Sequence, residues 1–121
     1  MRVIIPCESD AGLLAPRSAH FGHAPYLTIA EVDEAGNVTD VRSVRNAEHG
    51  SGGCGAVIAH VMGLGADAII CAGMGIPPLM RFTEGGIDVY VDRSVMYAKD
   101  VLDLFCAGKL PKMSVDDACR H

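Results

Sequence analysis

Residues 66–72 read Ala-Asp-Ala-Ile-Ile-Cys-Ala, an almost wholly apolar run held between Gly65 and Gly73. A run this short and this apolar fits a strand covered on both faces rather than one with a wet side. Such a strand needs helices on both sides of its sheet, and the flanking sequence supplies them. Upstream, Cys54 to about Leu64 places Val57, Ile58, Val61 and Leu64 on one helical face, and Gly65 stops it. Downstream, Gly73-Met74-Gly75 turns the chain into a helix from Pro77 to about Glu84, where proline is tolerated in the first turn and Gly85-Gly86 forms the end. Ile87–Val91 is a further strand. Ser94 is a candidate N-cap for a last helix running to Ala107, with Val95, Ala98, Val101, Leu102 and Phe105 inward and Gly108 at its end.

Toward the amino terminus, Arg2–Cys7 (RVIIPC) is a buried first strand. Tyr26–Val32 and Val38–Val44 alternate in polarity and are joined by Asp33–Asn37, a hairpin with one wet face. The order is therefore βββαβαβα. Two right-handed crossovers wind helices onto both faces of a mixed five-stranded sheet, an α/β domain in three layers, α/β/α. The expected domain is residues 1–110, with 111–121 as a flexible tail.

Composition bounds the function. The chain has 121 residues, enough for one core. Mean hydropathy is +0.26 and pI about 5.4. Fifteen Asp and Glu against ten Lys and Arg give a net charge of −5, with aromatics at 5% and no Trp. Those values argue against a phosphate-neutralising or base-stacking nucleic-acid binder. Every apolar stretch falls short of the roughly 20 residues that cross a bilayer, and no targeting segment is legible. The cysteines at 7, 54, 71, 106 and 119 are odd in number and lack C-x-x-C spacing, which suits a reducing cytoplasm. Cys7, Cys71 and Cys106 read as structural.

The topology gathers the unusual residues at one edge. The loops 8–25, 46–53 and 73–76 all open where the first strand ends, and the helices near Cys54 and Pro77 start there. Ligands of open α/β sheets bind at this carboxyl edge. The loops carry His20 and His23, then His49 and Cys54 around a glycine-rich turn, then Gly73 and Gly75. Helix N-termini and glycine N–H groups favour an anion, and a cysteine at a helix start is a softer ligand and a stronger nucleophile. A metal-sulfide cluster satisfies each condition. The plainer alternatives are His20 or His23 capping a backbone group and Cys54 serving as a small helix-start residue.

Ser18-Ala19-His20-Phe21-Gly22-His23-Ala24-Pro25-Tyr26, Asn46 with His49-Gly50-Ser51-Gly52-Gly53-Cys54-Gly55, Ala72-Gly73-Met74-Gly75, Gly86-Ile87-Asp88-Val89-Tyr90 and Gly108-Lys109-Leu110 together resemble the dinitrogenase iron-molybdenum cofactor-binding domain family. This family includes nitrogenase cofactor carriers and the molybdenum-copper orange-protein branch. The resemblance spans residues 2–110, and Pro77-Pro78 departs from it. It implies a ribonuclease H-like fold and a non-catalytic carrier or accessory protein for a preassembled molybdenum-containing metal-sulfur cluster, of iron-molybdenum or molybdenum-copper type, that need not survive isolation. His20, His49 and Cys54 are the implied metal ligands, His23 a fourth candidate. The backbone of Gly52, Gly53, Gly73 and Gly75 would form the cradle, and Arg17 would add positive charge. A cluster donor or acceptor protein is the implied partner, and the chain itself is expected as a monomer or weak homodimer. Two rival classes are a metal-free module receiving a protein or small anion, and a thiol enzyme using Cys54 with His49 as base. A metal-dependent nuclease lacks its carboxylates on the first strand.

Overall fold

Ala68–Cys71, all four residues buried, forms the strand β4, the sheet's fourth in chain order. The structure, a computed structural model, describes residues 1–47 and 55–114. The other elements are β1 (Arg2–Cys7), β2 (Tyr26–Val32), β3 (Val38–Arg45), α1 (Gly55–Gly63), α2 (Ile76–Glu84), β5 (Asp88–Val91) and α3 (Ala98–Cys106), with one 3₁₀ turn at Gly12–Leu14. The sheet has five strands in the order β3-β2-β1-β4-β5. β1 pairs antiparallel with β2 and parallel with β4, so the sheet is mixed, as the sequence indicates.

Alternation assigns the layers. Ile4, Leu27, Ile29 and Ile69 point to one face and meet Val57, Ile58 and Val61 of α1 and Leu79 and Phe82 of α2. Val3, Ile5, Ala30 and Ile70 point to the other and meet Ala98, Val101 and Leu102 of α3. The three layers are thus α1 with α2, the sheet, and α3.

One expectation changes. The last helix starts at Ala98, with Tyr97 as its cap residue. Ser94 is not the cap, because its hydroxyl donates to Asp92 Oδ1 at 2.7 Å, while Asp92 Oδ2 accepts the N–H groups of Ser94 and Val95. The chain then runs extended against residues 15–17: Arg17 N–H donates to Met96 O and Ala98 N–H to Ala15 O. Past Leu110, the chain is held as far as it is described. Val91 N–H donates to Pro111 O, Met113 N–H donates to Val89 O, and Met113 is buried. No helix among the described residues is long and apolar enough to cross a membrane.

Candidate functional site

The site begins with a proline in a central strand. Alternation turns the N–H side of Pro6 toward β4, where proline has nothing to donate. Pairing with β4 is recorded at Val3 and Ile4, and beyond it the first loop enters: Ser18 N–H donates to Pro6 O (3.0 Å) and Glu8 N–H to Pro16 O (2.9 Å). The parting of β1 from β4 at the carboxyl edge is a crevice of the type that receives ligands in α/β sheets.

Arg17 is driven into this parting. Its side chain is 5% exposed and its Nη1 lies 3.0 Å from Asp92 Oδ2, with further bonds to the carbonyls of Asp92 and Val95. Burial opposes the charge on Asp92, but hydrogen bonds from Ser94 and Val95 and the charge of Arg17 outweigh it and hold the carboxyl below its usual range. Arg17 Nε, also buried, has no hydrogen-bond partner among the described residues. Arg17, Ser18, Ala19, Ala72, Arg93, Val95 and Met96 line a cleft of about 320 Å³.

The histidine turn is built by what lies between its histidines. Phe21 is buried and stacks edge-on against Phe82 of α2, ring centroids 5.3 Å apart. Ser18 Oγ accepts from His20 N–H and donates to His20 O. With Phe21 as anchor, His20 and His23 stay exposed, their rings edge-on with centroids 6.1 Å apart. Asn46 ties the next loop to this turn, its Nδ2 donating to Ala24 O at 2.9 Å and its backbone N–H to Pro25 O. A second, larger depression of about 600 Å³ lies over Gly22, His23, Ala24, Pro25, Arg45, Asn46 and Ala47.

His20, His23 and Arg17 therefore share an edge with Gly73 and Gly75. His49, Gly52, Gly53 and Cys54, two of the three expected metal ligands among them, lie outside the described residues. Among the described residues, no three His, Cys, Asp or Glu side chains are grouped to hold a metal. The start of α2 is a weaker anion cradle than its position suggests, because Pro77 and Pro78 occupy the first turn and remove two of its free N–H groups. Cys7 is buried and accepts from Thr28 Oγ1, and burial pushes its thiol up, so it is inert.

Sequence reasoning passed over a fourth loop at this edge. β5 runs parallel to β4, so it must end on the same side, and the segment after it contributes Asp92, Arg93 and Met96. The signal was the strand direction itself.

The described residues thus form a three-layer α/β/α domain with a histidine turn and arginine-bordered clefts at the carboxyl edge of its sheet. The family model described as dinitrogenase iron-molybdenum cofactor matches residues 1–108, and the chain belongs to that family. Among solved structures it is similar to PH0822, with 29% identity, 93% of this chain and 96% of that one covered, and a TM-score of 0.76. It is similar to a candidate NifB protein from Thermotoga at 26% identity, covering 92% and 91%, with a TM-score of 0.68. The apo form of the orange protein from Desulfovibrio gigas shares the fold at 22% identity, covering 93% and 92%, with a TM-score of 0.80. No curated protein matches.

Proposed function

We propose that the chain is a non-catalytic carrier or accessory protein that receives a preassembled, anionic, molybdenum-containing metal-sulfur cluster at the carboxyl edge and passes it to, or accepts it from, a second protein. The observation that carries this is the match to the cofactor family over residues 1–108 in a chain whose HxxH turn stands exposed at that edge. Arginine supports it electrostatically: Arg45 and Arg93 border the two depressions on a chain of net charge −5. His20, His49 and Cys54 are the proposed ligands, with His23 beside them, and the glycines Gly52, Gly53, Gly73 and Gly75 let bulky sulfide approach the backbone. Arg17 frames the cleft, with its charge already shared with Asp92.

The test is titration of apo protein with tetrathiomolybdate and copper(I), read by visible absorption and metal analysis after gel filtration. Stoichiometric molybdenum is expected on the native chain, with at least tenfold weaker retention in His49→Ala, Cys54→Ala and the His20→Ala, His23→Ala pair. Equal retention by all of these variants overturns the ligand assignment.

The metal-free alternative has one observation in its favour: Arg17, whose buried Nε has no hydrogen-bond partner among the described residues, lines a cleft that Arg93 also borders. In that case inorganic sulfate or phosphate binds the native chain while thiomolybdate passes through.

A further inference from the structure

The two edges of the sheet are finished differently. The outer edge of β5 is closed by Pro111–Met113. On β3, the opposite edge, nothing among the described residues pairs with the outer side. Which groups stand open follows from the ladder. Asn46 N–H donates to Pro25 O, and bonded pairs alternate along antiparallel strands, so Leu27/Val44, Ile29/Arg42 and Glu31/Asp40 are the bonded pairs. The N–H and C=O of Val41 and Ser43 therefore point away from the sheet. His60 Nε2 lies 3.1 Å from Arg45 O and covers one end of this row, and the bulge near Val38 ends the other.

The side chains along the row are also incomplete. Asp40 and Arg42 are exposed, and neither has an ion-pair partner among the described residues. Asp40 stands opposite Glu31, a like charge already engaged by Arg2. Ser43 Oγ is buried without a hydrogen-bond partner among the described residues.

We infer that this edge seats a second copy of the chain, β3 against β3, antiparallel about a two-fold axis through Val41. In that register Val41 exchanges backbone hydrogen bonds with Val41 of the second copy, and Ser43 comes opposite its Thr39. Asp40 meets Arg42 of the second copy and Arg42 meets its Asp40, two ion pairs from one symmetric contact. The next registers that keep the sheet faces aligned centre on Asp40 or on Arg42, and each sets identical charges against each other. Charge thus selects one register of an otherwise permissive edge. The contact is confined to residues 39–43 of each copy, so it is weak, with Kd between about 10 µM and 1 mM. It needs no metal, so it and the cluster reading fail independently.

Sedimentation equilibrium over about 10 µM to 1 mM tests it. The native chain is expected to rise from 12.7 kDa toward twice that mass. Asp40→Arg and Arg42→Asp, each placing like charges opposite one another, are expected to remain monomeric, and mixing the two variants restores association. A native chain that stays monomeric throughout, single variants that associate like the native chain, or a mixture that stays monomeric overturns the proposal. The native chain also gives a readout without substitutions: amide exchange at Val41 and Ser43 slows with rising concentration, and concentration-independent exchange there counts equally against it.

Discussion

Asp92 does more than any other single residue at the carboxyl edge. Its carboxylate holds Arg17, Ser94 and Val95 at once, which sets one wall of the smaller cleft and delays the start of α3. Replacing it by Asn leaves a buried guanidinium without its counter-charge, and breaking such a pair costs about 3 kcal/mol. Asp92→Asn is therefore expected to lower the urea midpoint strongly at pH 7, and adding Arg17→Met to recover much of the loss. The pH dependence has a definite sign. The folded carboxyl titrates below its ordinary 3.8, so its contribution is complete above that value and is lost as the pH falls through the folded pKa. Acid unfolding of Asp92→Asn should show a shallower decline below about pH 4, and an unchanged acid limb would remove Asp92 from this account.

At the level of elements, the histidine turn depends on α2 through the Phe21–Phe82 contact. Phe21 spans the two, and removing a buried phenylalanine ring costs about 3 kcal/mol. Phe21→Ala should lower stability by that order in chemical denaturation and broaden the NMR signals of His20 and His23, because their turn loses its anchor. The turn from α2 into β5 makes a separate demand. Gly86 has φ +83° with open space where a side chain would stand, so Gly86→Ala suffers backbone strain without a clash and should cost about 1 kcal/mol. The elements themselves were largely legible. Apolar runs and glycine stops located the strands and α2 to within a residue or two. The start of α3 was not legible, because Ser94 is a fair cap until Asp92 takes its hydroxyl.

For the molecule as a whole, the distribution of closure matters most. One sheet edge is covered by Pro111–Met113, and at the other nothing among the described residues pairs with Val41 and Ser43 on the outer side. Met113 is 6% exposed and adds to the core beneath α1 and α2, so Met113→Ala should cost about 2 kcal/mol and weaken the amide protection of Val91 and of residue 113 itself, the two donors of this contact. Unaltered protection in that variant would mean the segment contributes little to the edge. Four of the seven arginines of this acidic chain stand at these margins: Arg17, Arg45 and Arg93 at the carboxyl edge and Arg42 on β3.

Sequence alone determined the order of elements, the three layers, the mixed sheet and the edge on which His20, His23, Gly73 and Gly75 gather. Those features follow from side-chain periodicity and glycine stops, which act over a few residues and can be read along the chain. Tertiary structure decided that Arg17 pairs with Asp92 across 75 positions, that a fourth loop joins the edge, and that Met113 covers β5 while no described residue pairs with the outer side of β3. Each of these depends on which backbone groups remain unpaired once the strands are in register. That balance of donors, acceptors and charges exists only when distant segments are brought together.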